Sequence, residues 1–186
     1  MAGNMTGQAM TARRLDDVLR LLMWSGLLAL WLLPMIAKQF TDEVQWTTMD
    51  HIAWFFLLAV PGVLLEIVSR LTTDWFYRIG FALALATAFV ITWANLAVGI
   101  VGDEDNRINL LFYLVVALPL IGAPAVGFRP RRMAMLLTLT AAAQALTALT
   151  ALGAEPFVLV FCGATTGLWL VSARLFDRAA RNEAAA

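Results

Sequence analysis

The sequence predicts an all-α membrane protein, built as a bundle of about six transmembrane helices with both termini in the cytoplasm. Of its 186 residues, 61% are hydrophobic and only 14% are charged, whereas a soluble domain of this size carries far more charge on its surface. Six apolar runs come close to the roughly 20 residues that a helix needs to cross a bilayer core. A one-sided distribution of arginine completes the prediction.

The apolar runs define the predicted organisation of the chain. We expect residues 1–12 to form a flexible N-terminal tail, residues 13–178 a single transmembrane helical domain and residues 179–186 a C-terminal tail. The predicted spans are about 19–37, 52–69, 79–101, 109–128, 133–152 and 157–175. The connections between them are too short to hold a soluble domain.

The basic residues indicate the orientation. If the N-terminus is cytoplasmic and six helices alternate in direction, the outer side keeps only Lys38 and Arg107. The cytoplasmic side then collects eleven arginines, namely Arg13, Arg14, Arg20, Arg70, Arg78, Arg129, Arg131, Arg132, Arg174, Arg178 and Arg181. This asymmetry is the one that the positive-inside rule describes. One helix more or fewer would mix the two sets, so the pattern supports the number of helices as well as their direction.

The counts of reactive residues narrow the possible function classes. Cys162 is the only cysteine and His51 the only histidine, which excludes an internal disulfide and most zinc, di-iron and histidine-based catalytic sites. A net charge of zero argues against a nucleic-acid partner. The sequence contains no nucleophile elbow, phosphate-binding glycine loop or HExxH motif. We therefore favour a non-enzymatic protein without a cofactor, with an enzyme that uses carboxylates and amides of the outer loops as the alternative. The expected partners are the lipid bilayer and either other membrane protein subunits or further copies of the chain.

The stretch GIVGDEDNRIN at residues 99–109 is predicted to join the third and fourth helices on the outer face. Gly102 suits the end of one helix, and Asp105 or Asn106 suits the cap of the next. We favour a capped, solvated turn, with a contact surface for a partner or a hard-cation site with oxygen ligands as alternatives. The candidate residues for contact or cation binding are Asp42, Glu43, Asp103, Glu104, Asp105 and Asn106.

Polar residues inside the predicted spans form a candidate intramembrane network, namely Glu66, Arg70, Asn95, Thr140, Gln144 and Thr147. We interpret Glu66 and Arg70 as an i,i+4 ion pair, with proton transfer by Glu66 as the alternative. Asn95 needs a hydrogen-bond partner across a helix interface. The last three residues recur at i, i+4 and i+7 and line one face of the fifth helix. We interpret that face as a buried one that hydrogen-bonds to neighbouring helices, with a pore lining as the alternative.

Two further features concern packing and metal binding. Gly163 and Gly167 form a GxxxG motif, which lets another helix approach closely, and we favour packing within the chain over oligomerisation. His51 follows Asp50 at the start of the second helix. We interpret it as a solvated interfacial histidine, with metal or haem ligation as the alternative.

The blocks QFTDEVQW at residues 39–46 and NLAVGIVGDEDN at residues 95–106 resemble those of an uncharacterised bacterial family of small multi-span integral membrane proteins. The resemblance covers roughly residues 33–178. It implies a multi-pass protein of the bacterial inner (cytoplasmic) membrane, and it implies no particular activity.

Three function classes fit these observations. The leading hypothesis is a non-enzymatic accessory or scaffold subunit that acts through helix–helix and outer-loop contacts. The first alternative is a small transporter or cation-responsive membrane protein that uses the acidic outer-loop residues. The second alternative is a redox or haem-associated membrane protein centred on His51.

Overall fold

The computed structural model describes residues 2–41, 45–103, 105–150 and 156–185, with side chains from residue 14 onward. Within these ranges the chain is helical and has no strand, which confirms the all-helical class. The helices are α1 (Ala2–Ala37), α2 (Thr48–Leu71), α3 (Trp75–Ala97), α4 (Asn109–Ala125), α5 (Pro130–Thr150) and α6 (Pro156–Ala185).

Five of these helices are long and apolar enough to cross a membrane, which indicates a multi-pass membrane protein. They are residues 14–37 of α1 and the whole of α2, α3, α5 and α6. The remaining helix, α4, is apolar but has only 17 residues. At a rise of 1.5 Å per residue it is about 25 Å long, slightly less than a hydrocarbon core of about 30 Å.

Several helix ends differ from the predicted spans because glycines stop the helices earlier. Helix α3 ends at Ala97 rather than near residue 101, since Gly99 adopts φ +70° directly after the last turn. Helix α4 ends at Ala125 rather than near residue 128. There Gly127 has φ +65°, and the Phe128 N–H donates to the Ala123 carbonyl at 3.1 Å, as in a Schellman motif.

The predicted tails are also helical in the structure. Helix α1 begins at Ala2 and so includes residues 2–12. Helix α6 continues to Ala185 and includes residues 179–185. The chain divides into two compact units, Met1–Leu71 and Thr72–Ala186, a division that the sequence analysis did not predict.

The first unit is a hairpin of α1 and α2. The helices approach closely at Gly62, where an added Cβ would lie 2.5 Å from Leu27 Cδ1. Nearer the connection, the Trp54 indole N–H donates to the Leu30 carbonyl at 3.0 Å. The Trp31 and Phe55 rings meet edge to face, with centroids 6.1 Å apart. Small-residue packing and aromatic contacts therefore hold the hairpin together.

The second unit is a bundle in which α6 packs against both α5 and α3, and α4 packs against α5 and α3. Its largest fully buried side chains include Phe112, Leu137, Trp169 and Phe176. Ser172 in α6 is fully buried, and its hydroxyl donates to the Gly80 carbonyl of α3 at 2.6 Å. Such hydrogen bonds, together with close packing, supply the association between helices that lipid does not drive.

Candidate functional site

An acidic turn connects α3 to α4 and contains four of the six candidate contact residues. Asp103 and Asp105 are exposed, and Asn106 is half-buried. Glu104, together with Asp42 and Glu43 of the first predicted outer loop, lies outside the described residues.

Two glycines shape the backbone of this turn. Gly99 and Gly102 have φ values of +70° and +72°, in the left-handed region that other residues rarely adopt. A Cβ added at Gly99 would lie 2.5 Å from the Asp103 carbonyl oxygen and 2.8 Å from Asn109 Nδ2. Gly99 is therefore required both by its conformation and by the close approach of the chain. The expectation that Gly102 ends α3 is corrected, because Gly99 takes that place.

The side chain of Asn109 closes the turn through four hydrogen bonds. Its Oδ1 accepts from the N–H groups of Ile100 and Val101, at 3.1 and 2.9 Å. Its Nδ2 donates to the carbonyls of Asp103, at 2.7 Å, and Val101, at 3.4 Å. The residue is only 3% exposed, so water cannot replace these bonds. One amide thus satisfies main-chain groups that the bend would otherwise leave unpaired inside the protein.

Two further asparagines complete the arrangement. Asn95 is 3% exposed near the end of α3, and its Nδ2 donates to the Asn109 carbonyl at 2.9 Å, joining α3 to α4. The Asn106 Oδ1 accepts from the Ile108 N–H at 3.0 Å. The N-cap residue of α4 is Ile108, which makes no side-chain capping hydrogen bond. Asn106, which was expected to cap this helix, therefore makes its hydrogen bond before the helix begins. We call Asn95, Asn106 and Asn109 the amide cluster.

The described part of the turn has a hydrogen-bonded main chain and two exposed carboxylates. Among the described residues, no group of three or more histidine, cysteine, aspartate or glutamate side chains lies close enough together to hold a metal ion. The Asp103 carbonyl accepts hydrogen bonds from Asn109 Nδ2 and from the Asn106 N–H, at 2.7 and 3.2 Å. Both exposed carboxylates therefore belong to a turn in which main-chain groups of Ile100, Val101 and Asp103 are hydrogen-bonded.

Glu66 lies between two arginines within the first unit. Arg70 Nη2 and Arg20 Nε lie 2.6 and 3.5 Å from Glu66 Oε1, so the ion pair includes a partner from α1 as well as the one at i+4. The side chain of Glu66 is 16% exposed, whereas that of Arg70 is 66% exposed. This arrangement neutralises a carboxylate that would be costly to leave alone in the membrane.

The polar face of α5 is buried, but its hydroxyls do not bond across helices. Thr140 and Thr147 each donate to the carbonyl one turn earlier in α5, both at 3.0 Å. Gln144 is fully buried beside the thiol of Cys162, and within the described part of the chain neither amide atom makes a hydrogen bond of ordinary geometry. The expected interhelical hydrogen bonds of the threonines are therefore replaced by bonds within their own helix.

The two glycines of the GxxxG motif meet no neighbouring helix within the described part of the second unit. An added Cβ at Gly163 or Gly167 would meet no atom within 4 Å in the part of the chain that the structure describes. On the same helix, the nearby Val160 and Val171 side chains are 69% and 49% exposed. Within the second unit both glycines are therefore open, and the choice between packing within the chain and oligomerisation stays a prediction.

His51 lies at the start of α2, where a capping box forms. The Thr47 N–H donates to Asp50 Oδ2 at 2.7 Å, and the Asp50 N–H donates to Thr47 Oγ1 at 3.3 Å. The Nδ1 of His51 lies 2.8 Å from the Thr47 carbonyl oxygen, and the ring meets Trp46 edge to face, with centroids 5.4 Å apart. The described surroundings of His51 thus consist of a helix cap and an aromatic ring.

The sequence analysis missed two features that matter for these sites. Asn109 was not recognised, although an asparagine that directly precedes an apolar run is a signal for a polar contact at a helix start. The capping box was also missed, although TTMD at residues 47–50 has the required spacing.

Comparison with models of known families, with curated proteins and with solved structures finds no match to this chain.

Proposed function

We propose that the chain crosses the bacterial inner membrane six times, with both termini in the cytoplasm. The division of eleven arginines from Lys38 and Arg107 supports this layout. In it, α4 makes the fourth crossing. Its ends suit that role, because the amide cluster at one end and the Schellman motif at the other satisfy backbone groups close to the membrane surface.

We further propose that the protein is a non-enzymatic accessory or scaffold subunit that acts through contacts of its outer turn and its helices. The observation that carries this proposal is the set of four hydrogen bonds made by the Asn109 side chain. They hold the main chain of the turn in one conformation and leave Asp103 and Asp105 exposed. A preorganised surface binds a partner at a lower entropic cost than a flexible loop does.

The exposed helix surfaces support the same role. The open glycines of α6 present a small-residue face on which another transmembrane helix can pack closely. In the most apolar window of α1, only 6% of the residues are buried in the structure, against 44% in α3. Helices with so little buried surface offer area both to lipid and to the helices of a partner.

The experiment is site-specific photo-crosslinking in native membranes. A photoreactive amino acid in place of Asp105 is expected to give a discrete adduct with one partner, and the same group in place of Glu183, exposed at the far end of α6, serves as the control. Asn109→Ala leaves both carboxylates in place but frees the turn, so it should reduce the adduct at residue 105. Asp103→Asn tests the charge without changing the turn.

The outcomes separate this proposal from its alternatives. A lone monomer after purification in mild detergent, without an adduct at residue 105, would contradict the scaffold role. A thermal stability that rises with divalent cations and no longer does so after Asp103→Asn would favour the cation-responsive alternative instead. Visible absorbance of the purified protein that is lost in His51→Ala would favour the haem-associated alternative.

A further inference from the structure

An open groove of about 610 Å³ runs along the second unit, between the first half of α5 and the second half of α6. Arg131 and Arg174 lie at one end of it, beside Asp177. The rest of its lining is mostly apolar and includes Met135 and Leu139 from α5 and Leu170 and Ala173 from α6. The groove thus has charged side chains at one end and apolar side chains along the rest, in the same order as the headgroup and the acyl chain of a lipid.

The two arginines are available to a ligand. Within the described ranges, the side chains of Arg131 and Arg174 have no hydrogen bond or ion pair with another residue. The nearby carboxylate of Asp177 is engaged, because its Oδ2 lies 2.7 Å from Arg181 Nη1. The groove end therefore carries a positive charge that its own acid does not neutralise. Arg131 is also in the first turn of α5, where the helix dipole favours an anion.

The apolar lining faces the surroundings of the protein. Met135 and Leu139 are 57% and 67% exposed, and Leu170 is 41% exposed. Thr138 also lines the groove, but its hydroxyl already donates to the Ala134 carbonyl at 2.8 Å, so it presents no unpaired group to an apolar ligand. These side chains belong to two helices that are long and apolar enough to cross a membrane, and their natural contact is an acyl chain.

The length of the groove matches the depth of a lipid headgroup region followed by hydrocarbon. From Arg131 to Leu139, α5 rises by about 12 Å, at 1.5 Å per residue. Arginine near the end of a membrane helix lies at headgroup level, and residues two turns further along the helix lie among the acyl chains. A phosphate held by the arginines would thus place its acyl chain against Met135 and Leu139.

We propose that this groove binds an anionic phospholipid of the surrounding membrane. The guanidinium groups of Arg131 and Arg174 hold the phosphate through charge-assisted hydrogen bonds, and one acyl chain lies between α5 and α6. Basic pockets between transmembrane helices bind anionic headgroups through the same chemistry. The inference requires only that the chain lies in a membrane, and it is independent of the proposed scaffold role.

The test measures lipid binding to the full-length protein in mild detergent by native mass spectrometry. The probes are phosphatidylglycerol, which is anionic, phosphatidylcholine, which is zwitterionic, and inorganic phosphate. The groove variant is Arg131→Gln with Arg174→Gln. The matched control is Arg129→Gln with Arg132→Gln, which removes the same charge from exposed arginines near the start of α5 that are not among the groove residues. A third variant, Met135→Trp, fills the apolar floor and keeps both arginines.

Wild-type protein should retain phosphatidylglycerol in preference to phosphatidylcholine. The groove variant should weaken retention of phosphatidylglycerol about tenfold, because it removes both phosphate contacts. The control pair should change it less than about twofold. Met135→Trp should also weaken retention of phosphatidylglycerol, and this variant tests lipid binding in the groove if the double variant does not fold.

Four results would overturn the proposal. The first is equal retention of both lipids, and the second is an equal loss of phosphatidylglycerol in the control pair. The third is full competition by inorganic phosphate together with no effect of Met135→Trp. The last is release of an acidic polypeptide by the groove variant while its lipid retention stays unchanged. The third would assign the arginines to a soluble anion, and the last would assign the groove to a protein partner.

Discussion

The side-chain amide of Asn95 in α3 donates a 2.9 Å hydrogen bond to the main-chain carbonyl of Asn109 at the start of α4. Both residues are only 3% exposed. The contact links two helices at the point where the chain reverses, and the Asn109 side chain fixes the turn between them. The acidic turn between α3 and α4 is therefore part of the packed structure and differs in this respect from an ordinary solvated loop.

Replacing Asn109 by alanine should destabilise the protein by about 2 to 4 kcal/mol, because it leaves the buried N–H groups of Ile100 and Val101 unpaired. Thermal unfolding in mild detergent would measure the effect. The control is Asn182→Ala, which removes an exposed hydrogen bond to Asp74 and should cost less than about 1 kcal/mol. Equal losses in the two variants would show that Asn109 does not hold the turn.

Two glycines with similar backbone conformations provide a matched pair. Gly99→Ala and Gly127→Ala both place a Cβ at positive φ, which costs about 1 to 2 kcal/mol. Only at Gly99 would the new Cβ also meet main-chain atoms, at 2.5 Å from the Asp103 carbonyl oxygen, whereas no described atom lies within 4 Å at Gly127. Gly99→Ala should therefore be the more destabilising in the same unfolding assay. A larger loss at Gly127 would contradict the close approach of the chain in the turn.

The sequence predicted the fold class well because lipid imposes strong rules on it. A spanning segment needs a long apolar helix, so composition and run length were enough to predict an all-helical membrane protein. Helix ends were predicted less well, because either Gly99 or Gly102 could have ended α3 and only the bonds of Asn109 select the first. The direction that Gly163 faces was not predictable, since the motif is the same on an inner or an outer helix face.

Glu66 should contribute to stability through its two arginines. Glu66→Gln leaves Arg20 and Arg70 without their shared carboxylate and should cost about 1 to 3 kcal/mol, because this carboxylate is largely buried. Asp177→Asn is the comparison, since it breaks an exposed i,i+4 pair with Arg181 and should cost less than about 1 kcal/mol. Unchanged unfolding of Glu66→Gln, together with loss of a proton-coupled activity, would instead support the proton-carrying role.

The open GxxxG motif predicts opposite effects on folding and on association. Gly163→Ala with Gly167→Ala should leave the stability of the chain unchanged or raise it by up to about 1 kcal/mol per residue, because alanine is the better helix former and nothing blocks it. The same change should weaken crosslinking of α6 to a partner helix. Gly26→Ala, which is also unobstructed, is the control and should leave crosslinking unaltered. Marked destabilisation by the α6 pair would show that the motif packs within the chain.

The layout across the membrane rests on α4, the shortest helix, because a crossing there places the acidic turn opposite the arginines that follow. Cysteine labelling tests this directly, since the native Cys162 is buried and can be replaced by serine. Asp105→Cys and Arg129→Cys, at exposed positions on either side of α4, would be treated in intact cells with an impermeant maleimide. We expect residue 105 to react in intact cells and residue 129 to react only after permeabilisation. Labelling of both positions from the same side would contradict the six-crossing account.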